Sequence, residues 1–258
     1  MSLGIQHISA AYDRISPFIH KTPLIRSKEI DKLCGCEIIF KADNFQKVGA
    51  FKARGACNAI MSMEDECLRR GVITHSSGNH GAALAWAAAM KKTDCIVVMP
   101  KNASAVKIDA VNCYGGRVLF CEPTMCARET MVQDFVSKQS SQFIHPFDDY
   151  SVIAGQGTIA IEFASQLDGL LDKILVPVGG GGLISGISVF VKDKGGLASQ
   201  VIGTEPEKAR DAADSFYGGI HVKEYEPKTM ADGLRATLGV KNFEIISKNV
   251  DDFALASE

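Results

Sequence analysis

Short apolar runs alternate with longer amphipathic stretches along most of the 258-residue chain. Runs such as "CIVVM" and "ILVPV" are apolar at successive positions, which is typical of parallel strands covered by helices on both faces. The pattern predicts strands at 36–43, 71–76, 94–100, 116–121, 141–147, 173–178, 200–205 and 251–257. It predicts helices at 5–16, 53–63, 81–91, 105–114, 125–139, 152–167, 183–194 and 209–216. This alternation predicts an α/β fold with doubly wound parallel sheets.

The tetraglycine stretch of "ILVPVGGGGLISG" lies between a predicted strand and a predicted helix. In doubly wound sheets, ligands bind beyond the carboxyl ends of the strands. Four glycines at a helix N-terminus would present bare N–H groups to an anion, most often a phosphate, although a flexible loop would also be glycine-rich. The P-loop pattern fails because Leu183 and Ile184 follow the last glycine, and the dinucleotide pattern fails at Ser185.

A second loop, "NFQKVGAFKARGA" (44–56), places Lys52 beside Phe51 at the start of a predicted helix. A lysine at this end of a helix is disfavoured in its charged form by the helix dipole. Burial against Phe51 would lower its pKa from about 10.4 toward neutrality and give a nucleophilic amine. The alternative is an ordinary solvated lysine.

A third loop, in "ITHSSGNHGAALAWAAAM" (73–90), follows a predicted strand and precedes an alanine-rich helix. A helix start needs one capping residue, but Ser76, Ser77, Asn79 and His80 crowd together here. This surplus favours a carboxylate-binding role over simple capping.

Composition narrows the possible partners. The formal net charge of −2 provides no basic field for nucleic acid or anionic lipid. No apolar run reaches membrane-spanning length and the N-terminus lacks the pattern of a signal peptide, so we expect no membrane partner and a cytoplasmic location. The eight cysteines form no C-x-x-C pair, and we expect buried, reduced thiols.

An aldehyde-reactive lysine, a phosphate nest and a carboxylate cradle together suit pyridoxal 5'-phosphate. The ordered segments "GAFKARGA", "SSGNHG" and "VPVGGGGLISG" resemble those of the serine racemase and serine/threonine dehydratase family of fold-type-II pyridoxal-phosphate enzymes. "VIAGQGTIAIE" and "TMADGLRATLG" extend the resemblance. It implies a tryptophan synthase β-like fold with two doubly wound domains, a large one at 1–68 and 149–258 and a small substrate-binding one at 69–148.

The resemblance also implies roles for individual residues. Lys52 would form the Schiff base and act as acid/base on one ring face, with Ser77 on the opposite face. Two such groups permit racemisation, and Ser77 favours a racemase-capable enzyme because dehydratases without that activity tend to have Ala there. The other implied roles are cofactor binding by Phe51, Asn79 and Gly179, Gly180, Gly181 and Gly182, and substrate binding by Ser76, Ser77, Asn79, His80 and Arg128.

The implied activity is racemisation of serine or dehydration of serine or threonine. A divalent cation, Mg²⁺ or Ca²⁺, would bind Glu205, the Ala209 carbonyl and Asp211, all oxygen ligands. The resemblance further implies a homodimer and ATP as an effector. Three alternatives remain: a weakly active or inactive cofactor-binding isoform, a β-replacement enzyme such as a cysteine synthase, and, more distantly, a nicotinamide oxidoreductase. His80 and the "KARGA" context argue against the second.

Two features depart from the family pattern. Ala50 replaces the usual serine of "SFK", which removes a hydroxyl near the cofactor. The chain stops at "NVDDFALASE", before the helix, turn and strand with which relatives continue. We therefore expect an incomplete large domain, without the Ser or Cys that bonds the pyridine nitrogen in relatives.

Overall fold

The computed structural model describes residues 3–76, 78–195 and 197–258. The helices are α1 (Ile5–Ile15), α2 (Lys28–Cys34), α3 (Lys52–Met61), α4 (Asp65–Arg69), α5 (Asn79–Met90), α6 (Ala105–Cys113), α7 (Met125–Gln139), α8 (Tyr150–Ala164), α9 (Gly182–Phe190), α10 (Asp211–Gly218) and α11 (Val240–Asn249). The strands are β1 (Leu24–Arg26), β2 (Ile39–Lys41), β3 (Val72–His75), β4 (Cys95–Pro100), β5 (Arg117–Cys121), β6 (Gln142–Phe143), β7 (Leu171–Pro177), β8 (Ala198–Pro206) and β9 (Asp252–Ala256). Short 3₁₀ turns occupy Asp43–Phe45, Lys47–Gly49 and Asp232–Leu234.

A parallel sheet with the order β5-β4-β3-β6 contains the middle of the chain. Every residue of β3 and β4 is buried, as the apolar run "CIVVM" predicts. Helices α5 and α7 both pack against β3 and β4. Because β3 is followed at once by the loop to α5, the carboxyl end of this sheet carries the predicted carboxylate-binding residues.

A second parallel sheet, with the order β7-β8-β9, contains the C-terminal part of the chain. Helix α9 packs on α8 and α11, and the apolar core of this region includes Val176, Ile184 and Ile246. The prediction that "ILVPV" is buried on both faces is wrong, since β7 lies at a sheet edge and Leu175 is 61% exposed. The opposite face of β7 packs in the core through Ile174 and Val176, so that buried and exposed residues alternate along the strand.

Helices α3 and α8 connect the two sheets. Helix α8 packs against α3 and α9, while α3 also packs against α5. Glycines permit this contact: a Cβ on Gly155 would lie 2.6 Å from the Arg54 carbonyl, and one on Gly55 would lie 2.8 Å from the Val152 carbonyl. The start of α3, the loop before α5 and the tetraglycine loop thereby belong to one packed unit.

Several elements differ from the predicted ones. The strand predicted at 36–43 is the three-residue β2, paired antiparallel with the unpredicted β1. The strand predicted at 141–147 is only β6, since Pro146 has no N–H to continue the ladder. Helices α2, α4 and α11 were also not predicted. The first two are only seven and five residues long, whereas α11 is amphipathic, with Phe243 and Ile246 packed in the core, and this signal was overlooked.

The cysteines are all free thiols, but the prediction that they are buried is only partly correct. Cys57, Cys95 and Cys121 are buried and Cys67 is half-buried, while the other four are exposed: Cys34, Cys36, Cys113 and Cys126. Among the described residues, none of the helices combines the length and apolarity that crossing a bilayer demands.

Candidate active site

Lys52 is the first residue of α3, as the sequence predicts to within one residue. Its Nζ donates a 2.9 Å hydrogen bond to the carbonyl of Pro146. The same nitrogen lies 5.2 Å from the ring centroid of Phe51 and 5.9 Å from that of Phe147. No carboxylate pairs with Lys52 in the described part of the chain. Burial therefore lowers the pKa of the Lys52 amine to about 8, which favours the neutral nucleophile.

The tetraglycine loop joins β7 to α9, and contacts with the protein leave no room for side chains there. A Cβ on Gly180 would lie 2.3 Å from the Phe147 ring, and one on Gly179 would lie 3.1 Å from Leu234 Cα. Gly181 has a φ of +87°, which favours glycine. Among the described residues, none of the N–H groups of Gly179 to Gly182 donates a hydrogen bond to the protein. These donors, at the positive end of α9, suit a phosphate.

The loop before α5 brings together most of the predicted carboxylate-binding residues. Ser76 Oγ accepts from the N–H groups of Gly78 and Gly81 at 3.2 and 3.1 Å, so this hydroxyl also shapes the loop. Asn79 begins α5 and is exposed. The prediction for Ser77 falls on a residue outside the described ones. His80 follows Asn79 and is buried.

His80 and Arg128 carry polar atoms that lack protein partners in the described region. Both ring nitrogens of His80 are buried and have no hydrogen-bond partner by distance and angle among the described residues, although the Ile144 backbone is close enough to act on the pKa of the ring. Burial, together with the charge of Lys52, holds the pKa of His80 well below its usual range. Arg128 Nε on α7 is likewise buried and unpaired. A substrate carboxylate would supply the acceptor that both groups lack.

The segment after β6, from His145 to Asp148, contributes to the site but was not predicted to. His145 Nδ1 accepts from the N–H groups of Phe147 and Asp148 at 3.3 and 2.8 Å, and its ring meets that of Phe147 edge-on at 4.6 Å. Burial lowers the pKa of His145 to about 3. The segment "HPFDD" follows an apolar run at the carboxyl end of a strand, and that position was the available signal.

The predicted cation ligands Glu205 and Asp211 are both buried. Glu205 accepts from the N–H groups of Ala212 and Ala213 at 3.3 and 2.8 Å, and Asp211 accepts from Leu238 N at 2.7 Å. Burial, with Asp211 nearby, raises the pKa of Glu205 to about 8. Ala209 is buried between them in sequence. No group of three His, Cys, Asp or Glu side chains converges on a metal position within the described residues.

The Lys52 amine and four glycine N–H groups without a protein acceptor among the described residues suit a cofactor that carries both an anion and a carbonyl, in an α/β protein. A family model described as "Pyridoxal-phosphate dependent enzyme" matches residues 15–258, and the chain belongs to this family. Its fold is therefore the fold type II of pyridoxal-phosphate enzymes, as the sequence predicts. The residues present fit the cofactor, since the Lys52 amine could hold its aldehyde and the N–H groups of Gly179 to Gly182, which have no protein acceptor among the described residues, could hold its phosphate.

Two curated relatives and one solved structure show how far the similarity extends. A serine racemase of Dictyostelium discoideum is 43% identical over 259 residues, which cover 100% of this chain and 79% of the relative. A beta-hydroxyaspartate dehydratase of Paracoccus denitrificans is 42% identical, covering 96% of this chain and 78% of the relative. The structure of maize serine racemase is 37% identical and matches with a TM-score of 0.95, covering 100% of this chain and 78% of that one.

Proposed function

We propose that this protein is a pyridoxal-phosphate-dependent enzyme that racemises or dehydrates a β-hydroxy amino acid, with serine and threonine as the candidate substrates. The observation that carries the proposal is the Lys52 amine, whose pKa is lowered to about 8. This amine and the tetraglycine loop both lie beside the Phe147 ring, and the four glycine N–H groups have no protein acceptor among the described residues. The similarity to a serine racemase and to a beta-hydroxyaspartate dehydratase supports both reaction types.

In this proposal the cofactor, when bound, supplies an electron sink that acidifies the Cα–H of an attached amino acid. Lys52 would hold the cofactor's aldehyde carbon through its amine until the substrate's amino group replaces it at that carbon, and the freed Lys52 amine would then accept the Cα proton. Gly179 to Gly182 bind the phosphate through their N–H groups. Asn79 bonds the ring hydroxyl, and Phe51 packs beside the ring.

Substrate binding is assigned to Ser76, Asn79, His80 and Arg128, which hold the carboxylate. His80 and Arg128 are the better supported because their buried polar atoms lack protein partners in the described region. Ser77 returns a proton to the face opposite Lys52, which inverts the Cα configuration. Departure of the β-hydroxyl instead leads to pyruvate and ammonia, so one deprotonation serves both reactions.

The decisive experiment follows D-serine and pyruvate formation from L-serine in the wild type, Lys52→Ala and Lys101→Ala. Lys101 is the control because its side chain is 64% exposed and pairs with Glu122. Removing a positioned proton-transfer group should lower both rates by at least about 100-fold in Lys52→Ala, with no change in Lys101→Ala. Ser77→Ala should lower D-serine formation while pyruvate formation persists. Wild-type rates in Lys52→Ala would refute the assignment.

The remaining features of the proposal rest on the resemblance and on particular residues. Glu205, Asp211 and the Ala209 carbonyl form the Mg²⁺ or Ca²⁺ site, supported by two buried carboxylates that lack a basic partner in the described part of the chain. The chain divides into a small domain at 69–148 and a large domain at 1–68 and 149–258. The enzyme is a cytoplasmic homodimer with ATP as an effector.

A further inference from the structure

Asn242, in the first turn of α11, is a fully buried amide that no catalytic assignment explains. Its Nδ2 donates to two carbonyls far apart in sequence, at 3.0 Å to Phe147 and 2.7 Å to Gly180. The opposite amide orientation would set its oxygen against both carbonyls, so the geometry fixes the assignment of nitrogen and oxygen. One side chain thus joins the segment after β6 to the tetraglycine loop.

Each of the two carbonyls is adjacent to a group that the cofactor needs. Phe147 directly follows Pro146, whose carbonyl accepts the hydrogen bond from Lys52 Nζ at 2.9 Å. Gly180 is the second residue of the phosphate-binding loop, and its missing Cβ leaves room for the Phe147 ring. Asn242 therefore connects the group that orients the amine with the backbone that would bind the phosphate.

Neighbouring contacts hold Asn242 rigidly in this position. Asp148 Oδ1 accepts from the N–H groups of Lys241 and Asn242 at 2.9 and 3.2 Å, so a residue 93 positions earlier caps α11. A Cβ on Gly181 would lie 2.8 Å from Asn242 Cβ, and one on Gly239 would lie 2.4 Å from Asp148 Oδ1. These contacts pack the backbone around Asn242, while the two bonds from Nδ2 set the orientation of its amide; within the described residues its Oδ1 has no partner.

We propose that Asn242 is a positioning residue that sets the separation between the Lys52 amine and the phosphate-binding glycine loop. The inference rests on the proposed attachment of pyridoxal phosphate to Lys52. The cofactor's aldehyde and phosphate are a nearly fixed distance apart, so its two ends bind together only if the amine and the loop are spaced to match. Asn242 touches neither end directly and acts through Phe147 and Gly180.

The test compares apoprotein variants of two asparagines on the same helix. Asn242→Leu keeps the approximate volume without a donor, and Asn242→Thr keeps one donor. Asn249→Leu is the matched control, because the one acceptor of Asn249 Nδ2 among the described residues is Ile245 of its own helix, at 3.1 Å. For each protein we would measure the thermal melting temperature and the Kd values of pyridoxal phosphate and of pyridoxal. The borohydride-trapped adduct at Lys52 would be quantified by mass spectrometry.

Loss of two hydrogen bonds should raise the Kd of pyridoxal phosphate about tenfold or more in Asn242→Leu, with a smaller rise in Asn242→Thr. The Kd of pyridoxal, which lacks the phosphate, should change much less, because only the two-ended ligand depends on the spacing. A purely structural role would instead lower the melting temperature and weaken both ligands equally. Asn249→Leu should leave both Kd values within about twofold of the wild type.

A folded Asn242→Leu apoprotein with the wild-type ratio of the two Kd values would overturn the inference. If Asn242→Leu does not fold, Asn242→Thr decides by the same ratio. Failure of the proposed function looks different, since the wild type itself would then form no adduct at Lys52. A wild-type adduct with unchanged ratios in the variants rejects the role of Asn242 alone.

Discussion

At the scale of single residues, the proposed chemistry depends above all on the amine of Lys52. Lys52 Nζ lies near two phenyl rings and bonds a neutral carbonyl, with no carboxylate partner among the described residues. Water would stabilise its ammonium form far better than these neighbours do. Burial therefore lowers the pKa to about 8, so an appreciable fraction of the amine is neutral near physiological pH.

We expect the rate of adduct formation between apoprotein and pyridoxal phosphate at Lys52 to rise with pH to a midpoint near 8. An exposed lysine with the ordinary pKa of about 10.4 would show a midpoint more than two units higher.

Between these two pKa values the unfolded chain binds the proton at Lys52 and the folded chain does not, so the free energy of unfolding should rise with pH there. Lys52→Met should remove that rise. Borohydride trapping and chemical denaturation across pH check both points, and a midpoint above 10 would contradict the assigned environment.

The missing methyl group of Gly180 leaves the room that the Phe147 ring occupies. We expect Gly180→Ala to raise the Kd of pyridoxal phosphate by at least about tenfold and to lower stability by about 1–3 kcal/mol, since its Cβ would lie 2.3 Å from the Phe147 ring. Gly218→Ala is the control, because no atom lies within 4 Å of a Cβ there and its φ is not positive. It should bind like the wild type. Equal binding by both variants would show that Phe147 moves aside freely.

At the scale of elements, a buried ion-pair network holds the helix that carries Lys52. Arg54 on α3 is fully buried and bonds Asp43 and Glu162, both at 2.7 Å. Lys41 on β2 bonds the same Glu162 on α8 at 2.9 Å. The network thus ties α3 to α8, β2 and the 3₁₀ turn that contains Asp43.

Arg54→Leu should lower the free energy of unfolding by about 3–5 kcal/mol, because it leaves two buried carboxylates with only Lys41 as counter-charge. Arg26→Leu is the control: its pair with Glu37 spans 3.6 Å and is exposed on both sides, so its loss should change stability by less than about 1 kcal/mol. Denaturant titration of the apoproteins measures both changes. A loss below about 1 kcal/mol in Arg54→Leu would mean that the network contributes little.

The elements also show what the sequence could and could not predict. Helices α5 and α7 and the buried β4 follow from local apolar patterns, and Lys52 stands out because it opens a predicted helix beside glycines. Arg54, Asp148 and Asn242 could not be assigned roles, since each bonds a residue more than 90 positions away. No local periodicity encodes such a contact. The antiparallel pair of β1 and β2 was missed because three residues are too few to show alternation.

At the scale of the whole molecule, an ion pair joins α6 to the turn before α11. Lys107 on α6 pairs with Asp232, which begins the 3₁₀ turn before α11. The Lys107 side chain lies 3.8 Å from the position of a Cβ on Gly78, in the loop before α5. Leu234, two residues after Asp232, packs on Gly179 of the tetraglycine loop. The pair therefore links the carboxylate-binding loop to the neighbours of the phosphate-binding loop.

We expect Lys107→Glu to raise the KM for L-serine about two- to fivefold at low salt, with little effect on the Kd of pyridoxal phosphate. The pair is partly exposed, with side chains 31% and 59% accessible, so it should contribute no more than about 1 kcal/mol. Two facing carboxylates would repel each other and disturb the loop before α5, where the substrate carboxylate is proposed to bind. The cofactor would be held by Lys52 and the glycines instead, so its Kd should change little. High salt should shrink the effect, because exposed charges are screened. The exchanged pair, Lys107→Glu with Asp232→Lys, should return KM toward the wild-type value. If KM for the exchanged pair is no lower than for Lys107→Glu, the two side chains act separately and the proposed link between the two loops is wrong.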